Sequence, residues 1–168
     1  MNKQAVILEF ESVDFTILLS IALGDRKQEA LRAAWALENR LINKPDQFHL
    51  HIAAFFSVLE YTRYPSVMRH FSKIVALLTV GLNKKTGRGI LEDIHLEPVI
   101  DLLFTWLINP DLPVAVKVHS MQALSNLASK NDWIKDELLA TIDFQEKYES
   151  PAFFARAKHI RKQLKNID

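Results

Sequence analysis

The 168-residue chain contains no cysteine. That excludes disulfides, thiolate nucleophiles and cysteine-ligated zinc or iron–sulfur sites, and it fits a reducing, cytoplasmic setting. Glycine is scarce, at four residues, and proline modest, at six, so collagen-like and low-complexity chains are out. Long apolar runs are also missing. Ala5, Val6, Ile7 and Leu8 are broken off by Glu9 and Glu11, too short for the roughly 7–15 apolar residues of a secretory signal. The run from Phe15 to Leu23 falls well short of the roughly 18–20 residues that span a bilayer. Net charge is only +1, so no global field draws the chain to nucleic acid or to a membrane.

What is present points to helices. Apolar residues make up 49% and charged residues 24%, the balance of a soluble globular chain. Its length suits one domain over 1–168, with enough residues to bury a core. Leu, Ala, Lys and Glu are plentiful and β-branched runs are short, which favours an all-α fold.

Residues 1–11 form a leader. The first helix is expected over Val13 to Leu23, with Ser12 or Asp14 as cap and Gly24-Asp25 as stop. The second covers Arg26 to Ile42, with Ala30, Ala34, Leu37 and Leu41 on one stripe. A third runs from Gln47 to Thr62, and a fourth from a Ser66 cap to Leu82. The one long loop is Asn83 to Gly89, polar and twice broken by glycine. A fifth helix extends from Leu91 to Ile108, with Pro98 as a breakpoint. The stretch from Asn109 to Ser129 reads as a turn and a sixth helix, in which Lys117 is turned inward and tied to the turn acid Asp111. A seventh helix follows an Asn131-Asp132 cap. An eighth opens at Ser150-Pro151, with Phe153, Ala157, Ile160, Leu164 and Ile167 as its stripe.

These helices pair as 12–43, 45–82, 90–129 and 132–167. Two antiparallel helices repeated at that length predict an α-solenoid of about four repeats. Cations near the start of the second helices support the period: Arg32, Arg69, Lys117 and Arg156 lie 37, 48 and 39 residues apart. The sixth helix is apolar along more than one line, as burial against several neighbours requires. The alternative is an irregular bundle, whose surface helices bury one face of somewhat over 100°.

Asp111, Val116-Lys117, Ala123-Leu124 and Leu127 resemble the second-helix pattern of HEAT repeats, and Leu31–Leu37 and Ala155–Lys158 are weaker copies. After residue 12 the chain is similar to short bacterial HEAT-like proteins. The likeness rests on Arg32–Trp35, Val67–His70, Phe104–Leu107 and Val114–His119. The second repeat departs from the pattern, with Tyr64-Pro65-Ser66 at its turn and no Asp. The resemblance implies a right-handed superhelix whose second helices line a concave, partner-facing surface. It carries over no catalytic residue.

Charge is sorted along the chain. The second helices (26–43, 65–82, 112–129 and 151–167) sum to +10, and the first helices (12–24, 45–61, 90–108 and 132–149) to −11. Such a split predicts a basic groove that attracts an anionic partner; acids gathered at helix starts, with a polar end cap, would give the same sums. The candidate partner-binding residues are Arg32, Arg69, Lys73, His119, Gln122, Asn126, Arg161 and Lys162, with His119, Gln122, Asn126 and Ser129 as an exposed line on the sixth helix.

Chemistry-bearing motifs are missing. The Asn83–Gly89 loop lacks phosphate-loop spacing, no histidine pair has i, i+4 spacing, and no serine sits in a nucleophile elbow. No metal or cofactor is expected. The sequence therefore predicts a non-catalytic, cytoplasmic protein-binding scaffold, its partner a protein or peptide, acidic segments favoured. The second reading is a nucleic-acid-binding HEAT-like protein, similar to DNA glycosylases with a basic concave face. A third is a homo-oligomer that stacks terminal repeats.

Overall fold

A computed structural model describes residues 6, 9–80, 91 and 93–166. Among them there are helices and turns but no strand. The predicted Asn83–Gly89 loop and Ile167 lie outside the described residues. The chain divides into two compact units, Met1–Ile74 and Val75–Asp168.

The first unit begins with α1, Phe15–Leu23, and α2, Lys27–Asn43. Asp14 caps α1: its Oδ1 accepts from the Thr16 backbone N–H at 2.8 Å, satisfying one donor that the first turn leaves open. Gly24 ends α1 by donating to Ile21 O. α2 turns Ala30, Ala33, Ala34, Leu37 and Leu41 inward. Its three alanines keep that face narrow, and α1 packs against it.

The expected helix from Gln47 to Thr62 is instead three short pieces: α3, Pro45–His49; α4, Ile52–Ser57; and a 3-10 turn, Leu59–Tyr61. The chain breaks at Leu50 and His51, where Leu50 is 83% exposed and His51 stacks on the Phe15 ring at 4.4 Å. Phe48, Ile52, Phe55, Phe56 and Leu59 are buried all the same. The inward phase survives the break, so hydrophobic spacing alone does not reveal it. α5, Pro65–Thr79, follows and crosses from the first unit's residues into the second's. It starts at Pro65, so Ser66 lies inside it rather than capping it, and the Ser66 hydroxyl is buried with no hydrogen-bond partner among the described residues. Phe15, Phe48, Phe55 and Phe71 form a chain of edge-to-face contacts at 5.0, 5.6 and 5.1 Å, a geometry worth more than the area it buries.

In the second unit α6 spans Glu97–Ile108, α7 Val114–Leu127, α8 Asp132–Gln145 and α9 Pro151–Leu164. The helix expected from Leu91 starts only at Glu97. Pro98 sits in its first turn, where a missing N–H costs nothing. α7 is the centre of this unit, packing against α6, α8 and α9. It buries Val116, Met121, Ala123, Leu124 and Leu127 together with Lys117, Ser120, Ser125 and Asn126. The inward turn of Lys117 matches expectation, but its partner does not. Lys117 Nζ donates to Glu149 Oε1 beyond the end of α8, while Asp111 is exposed and its backbone N–H donates to Asn109 Oδ1 at 2.9 Å. α9 buries Phe153, Ala157, Ile160 and Leu164, the expected stripe.

Candidate partner-binding surfaces

In the first unit Arg32 is not a free cation. It pairs with the Glu9 carboxylate and lies 5.8 Å from the centroid of the Phe10 ring. Lys73 donates to Glu38 Oε1 at 2.5 Å, and His70 Nδ1 lies 2.6 Å from Glu38 Oε2. Glu38 is buried on α2. Burial pushes its carboxyl up, yet the hydrogen bonds from His70 and Lys73 outweigh that and hold it below the ordinary carboxylate value. Of the candidates here, only Arg69 is exposed without an ion pair among the described residues.

The same unit holds a cavity of about 200 Å³ lined by Phe10, Glu11, Ala36, Asn39, Arg40, Asn43 and Lys44. One nitrogen of Arg40, Nη2, donates to Phe10 O at 3.1 Å and Val13 O at 2.8 Å. Arg40 thus ties the backbone at Phe10 and Val13 to α2, and burial lowers its pKa.

In the second unit the expected exposed line on α7 is corrected. Asn126 is buried. Its Nδ2 donates to Ala76 O and Thr79 Oγ1, both at 3.1 Å, and its Oδ1 accepts from Gln122 Nε2 at 3.0 Å and Gln163 Nε2 at 3.1 Å. Gln122 Oε1 in turn accepts from Arg156 Nη1 at 2.8 Å. A helical wheel gives Asn126 an outward phase, but the wheel does not see α5 and α9, whose polar groups make burial of an amide tolerable. His119 and Gln122 are half-buried and Ser129 is exposed.

Arg161 is likewise engaged. It forms a two-pronged pair with Glu146 at 2.7 and 2.9 Å and reaches Asp143 Oδ1 at 2.6 Å. The hydrogen bond that Arg161 donates to Glu146 is the main cause of its raised pKa, and the same bond lowers that of Glu146. No family model, curated protein or solved structure matches this chain. What the chain offers a partner must therefore be read from its own surfaces.

Three lysines on α9 and its end, Lys158, Lys162 and Lys165, are exposed, with no ion pair among the described residues. Steps of four and three put them on one face beside the exposed ring of Phe154. Of the eight candidates, then, Arg69 and Lys162 are exposed cations without an ion pair among the described residues. Arg32, Lys73 and Arg161 are held by acids, and Gln122 and Asn126 hydrogen-bond to each other. Sequence reasoning misses the acids because Glu9, Glu38, Asp143 and Glu146 come from other elements than the cations they neutralise. Charge sums taken helix by helix do not show such pairing.

No group of three or more His, Asp or Glu side chains among the described residues is placed to hold a metal ion. No described helix is long and apolar enough to cross a membrane.

Proposed function

We propose that this protein is a non-catalytic, cytoplasmic protein-binding scaffold built as a HEAT-like α-solenoid, with a basic face for an acidic segment of its partner. Support for the repeat reading comes from the second unit, where α7 packs on its own partner α6 and on both helices that follow it. A stacked repeat needs those contacts and a simple hairpin does not. The observation that carries the binding reading is the α9 face: Lys158, Lys162 and Lys165 are aligned, exposed and without ion pairs among the described residues. Basic character is thus concentrated on the last helix rather than spread over all the second helices. Unpaired cations of one sign draw an anionic segment and orient it.

The test is a pull-down with an immobilised Glu/Leu amphipathic peptide. The wild-type chain should be retained at low salt, and Lys158→Glu, Lys162→Glu and Lys165→Glu together should abolish retention. Equal retention of the triple variant would rule out the α9 face. Retention on single-stranded DNA but not on the acidic peptide, falling steeply with salt, would replace the protein-binding reading with the nucleic-acid one.

A further inference from the structure

Another surface of the second unit has the opposite polarity and does not depend on the α9 reading. Trp133, Phe144 and Tyr148 are 49%, 59% and 74% exposed. Residues 133 and 144 are three helical turns apart, so they share a face to within about 20° and lie about 16 Å apart along the axis. The Phe144 and Tyr148 rings touch at 5.8 Å, and Ala140 between the aromatic ends is exposed as well. α6 extends this face. Its Phe104 ring stacks against Trp133 at 6.1 Å, and its Ile108, 52% exposed, lies where Gln145 Nε2 donates to Ile108 O at 3.3 Å.

Charge on this face is mostly acidic. Asp136 and Glu137 flank the α8 aromatics and are exposed, as is Asp101 one turn before Phe104; α6 contains no cation. Lys147 is the exception, and its Nζ lies over the Phe144 ring at 5.9 Å, so that ring already holds a cation in contact.

We propose that the α6–α8 face is a docking site for a cationic amphipathic helix of another protein. Exposed aromatics close together on one face are costly in water and mark contact surfaces. Acids beside them select lysine or arginine on the incoming helix, whose apolar side would cover Trp133 and Phe144. A second copy of the same face would bring Asp136 and Glu137 against like charge. An anionic lipid leaflet would repel the acids in the same way.

The test is isothermal titration calorimetry of the full chain, with the α9 face neutralised by Lys158→Gln, Lys162→Gln and Lys165→Gln, against two synthetic peptides of about 18 residues, long enough for about five helical turns. They share their leucine positions, one with lysine and one with glutamate elsewhere. The lysine peptide should bind and the glutamate peptide should not. Trp133→Ser with Phe144→Ser should weaken binding by about tenfold or more. Glu137→Lys, a surface change that leaves the aromatics in place, should weaken it too and flatten its salt dependence. Equal binding of the two peptides, or wild-type affinity in both variants, would overturn the proposal. So would a wild-type dimer in solution that Phe144→Ser dissolves, because a second copy would then be the occupant.

Discussion

Lys117 and Glu149 meet across 32 positions of chain, their side chains 4% and 10% exposed. The pair fastens the segment after α8 to the middle of the second unit. It also explains why a cation can sit among the valines and leucines of α7: a buried charge is tolerated when its partner is buried beside it.

Removing one member should therefore be costly. Glu149→Gln is expected to destabilise the chain by about 3 kcal/mol in urea denaturation, because the Lys117 ammonium stays buried without its counter-charge. Asp111→Ala, by contrast, should change stability by less than about 0.5 kcal/mol. A large effect at Asp111 would mean that the turn acid, not Glu149, holds the lysine.

Glu38 should make stability pH-dependent on the acid side. Its carboxyl sits below its ordinary value of 4.5, so the folded chain releases that proton more readily than the unfolded one. The contribution is complete above the unfolded value, and it is lost as pH falls through the lower folded value. Melting temperatures of wild type and Glu38→Gln should differ near neutral pH and converge once the pH lies below the folded value. A gap that persists unchanged in acid would show that Glu38 acts through packing.

Asn126 should behave as a structural residue. Asn126→Ala removes an amide that hydrogen-bonds to Ala76, Thr79, Gln122 and Gln163 and should cost about 1–3 kcal/mol in chemical denaturation. A wild-type unfolding midpoint would show that the network contributes little.

Phe55 touches both Phe48 and Phe71 and is fully buried. Phe55→Ala should cost about 3–5 kcal/mol, read as a lowered denaturant midpoint. A smaller loss would mean that the short helices around it relax into the space.

Legibility in the sequence depends on how local the cause of each feature is. The α9 stripe follows from spacing alone, because one helix face meets one apolar surface. Asp14 as a cap and the inward phase of Lys117 are equally local. The break at Leu50–His51 is hidden because the buried positions keep helical phase across it. Phase alone misplaces Asn126, since its hydrogen-bond partners on α5 and α9 lie far away in sequence. Cations such as Arg161 look available for the same reason. The α6–α8 aromatics leave a clearer trace. Trp133 and Phe144 fall outside the stripe of Ile134, Leu138 and Ile142, a phase mismatch that residue spacing alone displays.

The placement of the tryptophans gives the chain a built-in optical label. Trp106 is 4% exposed and Trp133 49%, so quenchers dissolved in water reach the second far more readily than the first. A ligand covering Trp133 would shift its emission to the blue and shield it from acrylamide, while the signals of Trp106 and of the half-buried third tryptophan, Trp35, stayed as they were. Docking on the α6–α8 face can thus be followed in the unmodified protein, with no dye attached.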